Sequence, residues 1–136
     1  MALKAVLDTR FFFAFYDPLS HKQEEWCRSI ARDAKKSGTY LASCVTIAEL
    51  YGNMGKRVGK DVVSLRISSM RNAGIEFVPV DEVLARHAGE LKLSSGEVPM
   101  ADAIIASTAV LCSGGRVLTD DDRFKGIKSV KTSWVE

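Results

Sequence analysis

The chain has 136 residues, of which 46% are hydrophobic and 26% charged, so it is long enough for one compact domain with an apolar core and too short for two. Its 19 basic and 17 acidic residues give a formal charge of +2, which is compatible with nucleic-acid binding without requiring it. Cys27, Cys44 and Cys112 are scattered, which argues against a disulfide framework and a cysteine zinc site. We expect one soluble, cytoplasmic domain over residues 1–136, with no leader peptide and no membrane span.

Short apolar segments alternate with helical patterns along the chain. The predicted strands are residues 3–7, 39–43, 75–80, 116–119 and 130–135. The first predicted helix is aromatic and ends at Asp17-Pro18, and the second runs from the capping box Ser20–Gln23 to Gly38. A third passes through residues 46–51 and loosens at Gly52, Gly55 and Gly59. Three more helices are predicted over residues 62–72, 81–93 and 99–112. This alternation predicts an α/β fold, a three-layer α/β/α sandwich around a mostly parallel central sheet.

Carboxylates recur where the predicted strands end. Asp8 follows the first strand, and Asp120–Asp122 follow the fourth. Glu49 lies in the second turn of the helix after the second strand, and Asp102 lies in the first turn of an apolar helix. Ligands of open parallel sheets bind beyond the carboxyl ends of the strands, so these acids are candidate functional residues.

Each acid also has a structural alternative. Asp8 is suited to cap the helix that follows it, and Asp120–Asp122 are typical of a polar turn. Glu49 and Asp102 have mostly apolar neighbours, and burying an unpaired carboxylate costs several kcal/mol or more. The alternative for these two is an ion pair with an arginine, for which the candidates are Arg10, Arg116 and Arg123.

Acids that meet at one edge repel one another unless some are protonated or a cation neutralises them. Oxygen ligands favour hard ions such as Mg²⁺ or Mn²⁺. His21 and His87 are the only histidines, and both are expected on helix surfaces, which argues against zinc. The sequence contains no Gly-rich phosphate loop, nucleophile elbow or dinucleotide fingerprint. A carboxylate site of this kind suits metal-assisted displacement at phosphorus.

Four ordered blocks of the chain resemble the PIN-domain ribonucleases, and within them the small stand-alone toxins of virulence-associated toxin–antitoxin pairs. The blocks are Val6-Leu7-Asp8-Thr9, residues 43–50 (Ser-Cys-Val-Thr-Ile-Ala-Glu-Leu), residues 101–109 (Ala-Asp-Ala-Ile-Ile-Ala-Ser-Thr-Ala) and residues 117–124 (Val-Leu-Thr-Asp-Asp-Asp-Arg-Phe). Each block alone is weak, whereas the ordered set is specific.

The resemblance implies a PIN-like fold and a set of site residues. The metal-binding, catalytic acids would be Asp8, Glu49, Asp102 and Asp121. Asp121 is preferred to Asp120 because it has Thr119 two residues before it and Phe124 three residues after it. The supporting residues would be Thr9, Thr119 and Asp120. Arg10 departs from the family pattern, which has a small polar residue there, and would either contact substrate phosphate or neutralise the acids.

The resemblance also implies the activity: Mg²⁺- or Mn²⁺-dependent endonucleolytic cleavage of RNA that leaves 5′-phosphate and 3′-hydroxyl ends. An antitoxin partner and a homodimer follow from it as expectations. The substrate-binding cations would be Arg10, Lys56, Arg57 and Arg123, and further candidates are Lys60, Lys125 and Lys128. Among the aromatic residues, Tyr51 is a candidate for base stacking, and core positions are expected for Phe11–Phe13, Trp26 and Trp134.

Two other functions are compatible with this fold. A non-catalytic RNA- or protein-binding module would bind RNA without turnover, but a scaffold has no reason to keep a repelling acidic cluster. A phosphoacceptor signalling domain would need an acidic pair after the first strand, and Asp8-Thr9-Arg10 contains only one acid.

Overall fold

The computed structural model describes residues 4–135, which form a mixed α/β structure. In chain order the elements are β1 (Ala5–Leu7), α1 (Thr9–Tyr16), α2 (His21–Ser37), β2 (Tyr40–Ser43), α3 (Cys44–Val58), α4 (Lys60–Asn72), β3 (Glu76–Val78), α5 (Glu82–Ser94), α6 (Met100–Cys112), β4 (Arg116–Leu118) and β5 (Lys131–Ser133). A 3₁₀ helix over Asp122–Gly126 lies between β4 and β5. None of the helices in this range is long and apolar enough to cross a membrane.

The five strands form one sheet in the order β3-β2-β1-β4-β5, and all four pairings are parallel. The predicted fold class is therefore confirmed. Because β1 lies between β2 and β4, successive connections leave it in opposite directions along the sheet. The carboxyl ends of β1 and β4 are adjacent at this switch point, where open α/β sheets bind their ligands.

Both faces of the sheet are covered by helices, which makes the central strands apolar throughout. Neighbouring residues of β1 point to opposite faces of the sheet. Leu7 packs in a cluster with residues of α1–α4, and Val6 packs with residues of α5 and α6. Both side chains are fully buried. This is the pattern expected for a parallel strand between two helical layers.

The turn into β4 needs a glycine. Gly115 has a φ of +84°, and a Cβ atom there would lie 1.9 Å from the carbonyl oxygen of Ser129. Its own carbonyl accepts a hydrogen bond from the Lys131 amide. Any larger residue would push the start of β5 away from β4, so this glycine permits the pairing at the edge of the sheet.

One helix was predicted wrongly, and all five predicted strands are longer than the observed ones, most clearly the first, third and fifth. The helix around residue 46 does not loosen at Gly52 and Gly55: α3 runs without a break from Cys44 to Val58 and ends at Gly59. Its buried residues Leu50 and Met54 hold it against the core. The first, third and fifth strands are shorter than predicted, and residue 3 of the predicted first strand lies outside the described residues.

The expectation of core positions for Phe11–Phe13, Trp26 and Trp134 is only partly right. Phe11 and Phe12 are fully buried. Phe13, Trp26 and Trp134 are half-buried at the margin of the core. Trp134 packs edge-on against Trp26 with 4.8 Å between ring centroids. These margin aromatics leave part of their surface available to a ligand.

Candidate acidic site at the sheet edge

Asp8 is the deepest acid at the carboxyl edge of the sheet, with only 3% of its surface exposed. It precedes α1, but its side chain makes no capping hydrogen bond, so the alternative that it serves as a helix cap is wrong. Its Oδ2 instead accepts a hydrogen bond of 2.7 Å from the Thr119 hydroxyl. Burial raises the pKa of Asp8 to about 6, with the Thr119 bond opposing this and the charges of Asp102 and Glu49 adding to it.

Thr119 joins this acid to the segment after β4. Its hydroxyl donates to Asp8 and accepts a hydrogen bond of 3.0 Å from the backbone amide of Asp121. The hydroxyl is therefore used as both donor and acceptor, and the residue itself is 3% exposed. Its position fixes the start of the acidic turn relative to Asp8.

A second pair of hydroxyls orients Glu49. The Thr9 hydroxyl donates to Glu49 Oε1 over 2.6 Å, and it also lies 3.0 Å from the Thr46 hydroxyl. Because a hydroxyl has a single proton to donate, Thr46 must be the donor to Thr9. Thr46 is completely buried. This role of Thr46 was not predicted from the sequence, although a threonine one helical turn before the acid was a usable signal.

Asp102, in the first turn of α6, is 6% exposed. Its Oδ2 is buried and has no hydrogen-bond partner among residues 4–135. Arg123 Nε lies 3.3 Å from this oxygen without the alignment of a hydrogen bond. Burial raises the pKa of Asp102, and the Arg123 charge opposes this shift. Of the three arginines considered for an ion pair with Asp102, Arg123 is the one beside it, whereas Arg116 Nε donates to the Lys4 carbonyl.

Asp121 is the acid that Arg123 binds most closely. Arg123 Nη2 lies 2.6 Å from Asp121 Oδ2, and the Arg123 backbone amide donates to Asp121 Oδ1 over 3.0 Å. The first of these bonds is the main reason that the pKa of Asp121 is lowered. The same carboxylate caps the 3₁₀ helix. Asp121 thus lies at the site but is held by a cation of its own segment.

The outer rim of the site contains a second arginine pair. Arg10 donates through Nε and Nη2 to the two carboxylate oxygens of Asp120, the second contact measuring 3.2 Å. Both side chains are substantially exposed. The bond to Asp120 is the main reason that the pKa of Arg10 is raised. Lys56 is exposed on α3, and Arg57 lies 3.8 Å from Asp17.

The four predicted metal-binding acids influence one another through their charges, and threonine hydroxyls position them. Their carboxylate oxygens do not form one compact group. Within the described residues, the one group of three candidate ligands whose atoms all lie within 4.8 Å of one another is His21, Glu24 and Glu25, at the exposed start of α2. His21 is exposed, as expected, and His87 is half-buried with its Nδ1 2.8 Å from the Ser107 hydroxyl. The acids at the sheet edge therefore need side-chain adjustment before three of them can share one ion.

Comparisons with known proteins agree with this architecture. A family model described as the PIN domain matches residues 5–129. No curated protein sequence gives a significant match.

Solved structures with this fold include VapBC2 from Rickettsia felis bound to a DNA fragment from its promoter, at 17% identity with a TM-score of 0.76, covering 98% of this chain and 100% of that chain. VapC20 of Mycobacterium tuberculosis, a Sarcin-Ricin loop cleaving toxin, is 15% identical with a TM-score of 0.71 over 93% of this chain and 97% of that chain. VapBC-5 of the same organism is 23% identical with a TM-score of 0.61 over 99% of each chain. Since the family model covers most of the sequence and these folds agree with it, the chain belongs to the PIN domain family.

Proposed function

We propose that this protein is a divalent-metal-dependent endoribonuclease that hydrolyses RNA phosphodiester bonds. The observation that carries the proposal is Asp102 Oδ2, a buried carboxylate oxygen with no hydrogen-bond partner in residues 4–135. Arg123 Nε lies 3.3 Å from it, yet burial and the charges of Asp121 and Glu49 still raise the pKa of Asp102. A buried oxygen of this kind is costly unless a ligand completes its coordination. Asp8 shares the problem, because its burial disfavours the ionised form.

The donor set fits a hard cation. All four acids offer carboxylate oxygens, the ligands that Mg²⁺ and Mn²⁺ prefer, and neither histidine nor cysteine lies among them. Asp8, Glu49, Asp102 and Asp121 would hold the ion, with Thr9, Thr119 and Asp120 supporting them. When bound, the ion supplies activation of water and neutralisation of charge on the phosphate.

The protein's own residues prepare this chemistry by fixing the acids. Thr119 holds one oxygen of Asp8, and Thr9 holds Glu49 Oε1, so neither carboxylate is free to rotate. Arg123 balances the charge of Asp102 and Asp121 at the rim. Its guanidinium is more than half exposed, so it can turn toward a phosphate oxygen of the substrate. Arg10, Lys56 and Arg57 would contact the RNA backbone farther out.

We further propose that the protein acts in the cytoplasm as the toxin of a toxin–antitoxin pair and forms a homodimer. Support comes from its structural relatives: VapBC-5 is a member of the VapBC family of toxin–antitoxin systems, and VapC20 is a Sarcin-Ricin loop cleaving toxin. Expression of the chain alone should arrest growth, and co-expression of a small protein from the neighbouring reading frame should relieve the arrest. Growth that is unaffected by the active chain would contradict the toxin role.

The nuclease proposal is tested with three variants of one charge change each. Asp8→Asn and Asp102→Asn should lower RNA cleavage in Mn²⁺ or Mg²⁺ by at least about a hundredfold, because each removes a charged ligand oxygen. Asp122→Asn is the matched control, since Asp122 is exposed and pairs with Lys125. Products should carry 5′-phosphates. RNA binding without turnover in either metal would favour the non-catalytic module instead.

A further inference from the structure

A pocket of about 220 Å³ lies next to the acidic site, between α1, α2, α3 and the segment after β5. Its lining includes Phe13, Gln23 and Trp134 together with the two arginines Arg10 and Arg57. Pockets for drug-sized molecules are typically 300–1,000 Å³, so this one is suited to a group the size of a single base. Asp120 lines it as well, which places the pocket against the rim of the acidic site.

Gln23 presents a hydrogen-bond donor that the protein itself does not use. The side chain is 9% exposed, and its Oε1 accepts a hydrogen bond of 2.8 Å from the Leu19 backbone amide. Only the oxygen of the amide accepts such a bond, so its orientation is determined. The remaining NH₂ group has no hydrogen-bond partner in the described part of the chain. The Gln23 nitrogen is not one of the fully buried, unpartnered atoms of residues 4–135, so it reaches the solvent of the pocket and can donate to an acceptor on a ligand.

The pocket also offers aromatic surface on a rigid support. Trp134 is half-buried, and its contact with Trp26, at an interplanar angle of 61°, holds the indole ring in place. Phe13, also half-buried, belongs to α1 directly beside the acidic site. Aromatic side chains stack on unpaired bases and thereby contribute to RNA binding.

Two arginines and two aspartates line the pocket, so its formal charge is balanced and each guanidinium has a carboxylate beside it. The arginine side chains are 51% (Arg10) and 63% (Arg57) exposed, and they pair with Asp120 and Asp17. Exposed pairs of this kind contribute little stability, so each guanidinium can exchange its carboxylate for a phosphate at small cost. A donor amide, aromatic rings and two guanidinium groups together match a nucleotide better than an apolar peptide side chain.

We propose that this pocket binds the base of one unpaired nucleotide of the RNA substrate, beside the phosphodiester bond that is cleaved. Trp134 stacks on the base, the Gln23 NH₂ group donates to an acceptor on the base edge, and Arg10 and Arg57 contact the flanking phosphates. The inference rests on the proposed function only for the place of the cleaved bond. It makes Gln23 the residue that determines base preference at that position.

The test measures binding without cleavage. The protein has two tryptophans, so Trp26→Phe in an Asp8→Asn background leaves Trp134 as the sole reporter. Short single-stranded RNAs that differ at one position, including an abasic version, are titrated against its fluorescence. We expect base-bearing RNA to quench Trp134 and to bind about tenfold more tightly than abasic RNA, which corresponds to about 1.4 kcal/mol.

Gln23→Glu then removes the donor while keeping an oxygen acceptor for the Leu19 amide. Because a carboxylate oxygen accepts where the NH₂ group donated, the variant should shift the preference away from the base that the parent favours and leave α2 intact, as circular dichroism would verify. Ser29→Glu is the matched control, because it adds the same charge at an exposed position of the same helix. Its base preference should remain that of the parent.

Several results would overturn the inference. They are equal quenching by abasic and base-bearing RNA, an unchanged base preference in Gln23→Glu, or a Trp134 signal that responds to a protein partner and to no RNA. The outcome is separable from the nuclease proposal. Base-dependent quenching in a protein whose parent never cleaves RNA supports the pocket and refutes the nuclease, whereas cleavage without such quenching does the reverse.

Discussion

The acidic site has a buried floor, Asp8 and Asp102, and a more exposed rim, Asp120 and Asp121, and the two parts differ in how their negative charge is compensated. At the floor, Asp8 and Asp102 are buried, and burial raises the pKa of each. At the rim, Asp121 is bound by Arg123, which lowers its pKa, and Asp120 is bound by Arg10. Arg123 lies 3.3 Å from Asp102 but does not cancel the effect of burial, so the fold compensates the charge of the floor only in part. Each rim acid, in contrast, is bound directly by an arginine. An ion or substrate gains most by binding at the floor.

Removing the charge of Asp8 should have the largest effect on the stability of the protein. Its pKa of about 6, against a usual 3.8, means that ionisation destabilises the metal-free folded state. Asp8→Asn should therefore raise the free energy of unfolding at pH 7 by about 2–3 kcal/mol. Urea denaturation in the presence of a chelator measures this. Asp122→Asn should stay within about 0.5 kcal/mol of the parent, and a destabilised Asp8→Asn protein would contradict the strained floor.

The same contrast predicts a pH dependence. The folded state takes up the Asp8 proton near pH 6, whereas the unfolded chain does so near 3.8. Between these values the folded state binds more protons, so the contribution of Asp8 to stability increases as pH falls from 7 toward 4. The difference in unfolding free energy between Asp8→Asn and the parent should shrink across that window. A difference that stays constant with pH would mean that Asp8 titrates normally.

Arg123 contacts Asp102 at the floor and Asp121 at the rim, so its removal tests how far one cation compensates both acids. Arg123→Ala should tighten Mn²⁺ binding by about three- to tenfold, because a guanidinium no longer competes for the charge of Asp102 and Asp121. Calorimetric titration with Mn²⁺ alone measures this without any RNA. Lys125→Ala is the control, since Lys125 belongs to the same 3₁₀ helix but pairs with Asp122. Equal affinities in both variants would remove Arg123 from the site's electrostatics.

The smallest effect is expected at the outer rim. Arg10 and Asp120 form an exposed pair, so Arg10→Ala should change the free energy of unfolding by less than about 0.5 kcal/mol. Its effect should instead appear as weaker RNA binding that varies with salt. Thermal denaturation and an RNA titration at two salt concentrations separate these outcomes. A loss of stability comparable to the Asp8 effect would show that the rim is structural.

The sequence was most informative where one residue pattern had one physical solution. A nearly continuous apolar segment over residues 3–7 followed by an acid predicted a central parallel strand, and the alternation of elements predicted the sandwich. The parallel sheet and the match to the PIN family confirm both. The break at Gly52 and Gly55 was predicted wrongly, because each glycine costs only about 1 kcal/mol in a helix. The packing of Leu50 and Met54 outweighs that cost.

Side-chain partnerships were harder to predict, because several residues of the same type compete for them. Three arginines were candidates for pairing with a buried acid, and only the structure places Arg123 beside Asp102. Asp8 had the helix amides and the Thr119 hydroxyl as possible partners, and its carboxylate accepts from the hydroxyl without capping the helix. The pocket with Gln23 depends on three helices and the segment after β5, which no local pattern encodes.

The hydroxyl of Thr119 has a consequence for mutational surveys of this protein. It donates a hydrogen bond to the Asp8 carboxylate and accepts one from the Asp121 backbone amide. Replacement by alanine would release two acids at once and imitate the loss of a reacting group. Serine, which keeps the hydroxyl, should restore the activity that alanine removes. Such a rescue would show that Thr119 positions the acids and does not itself react.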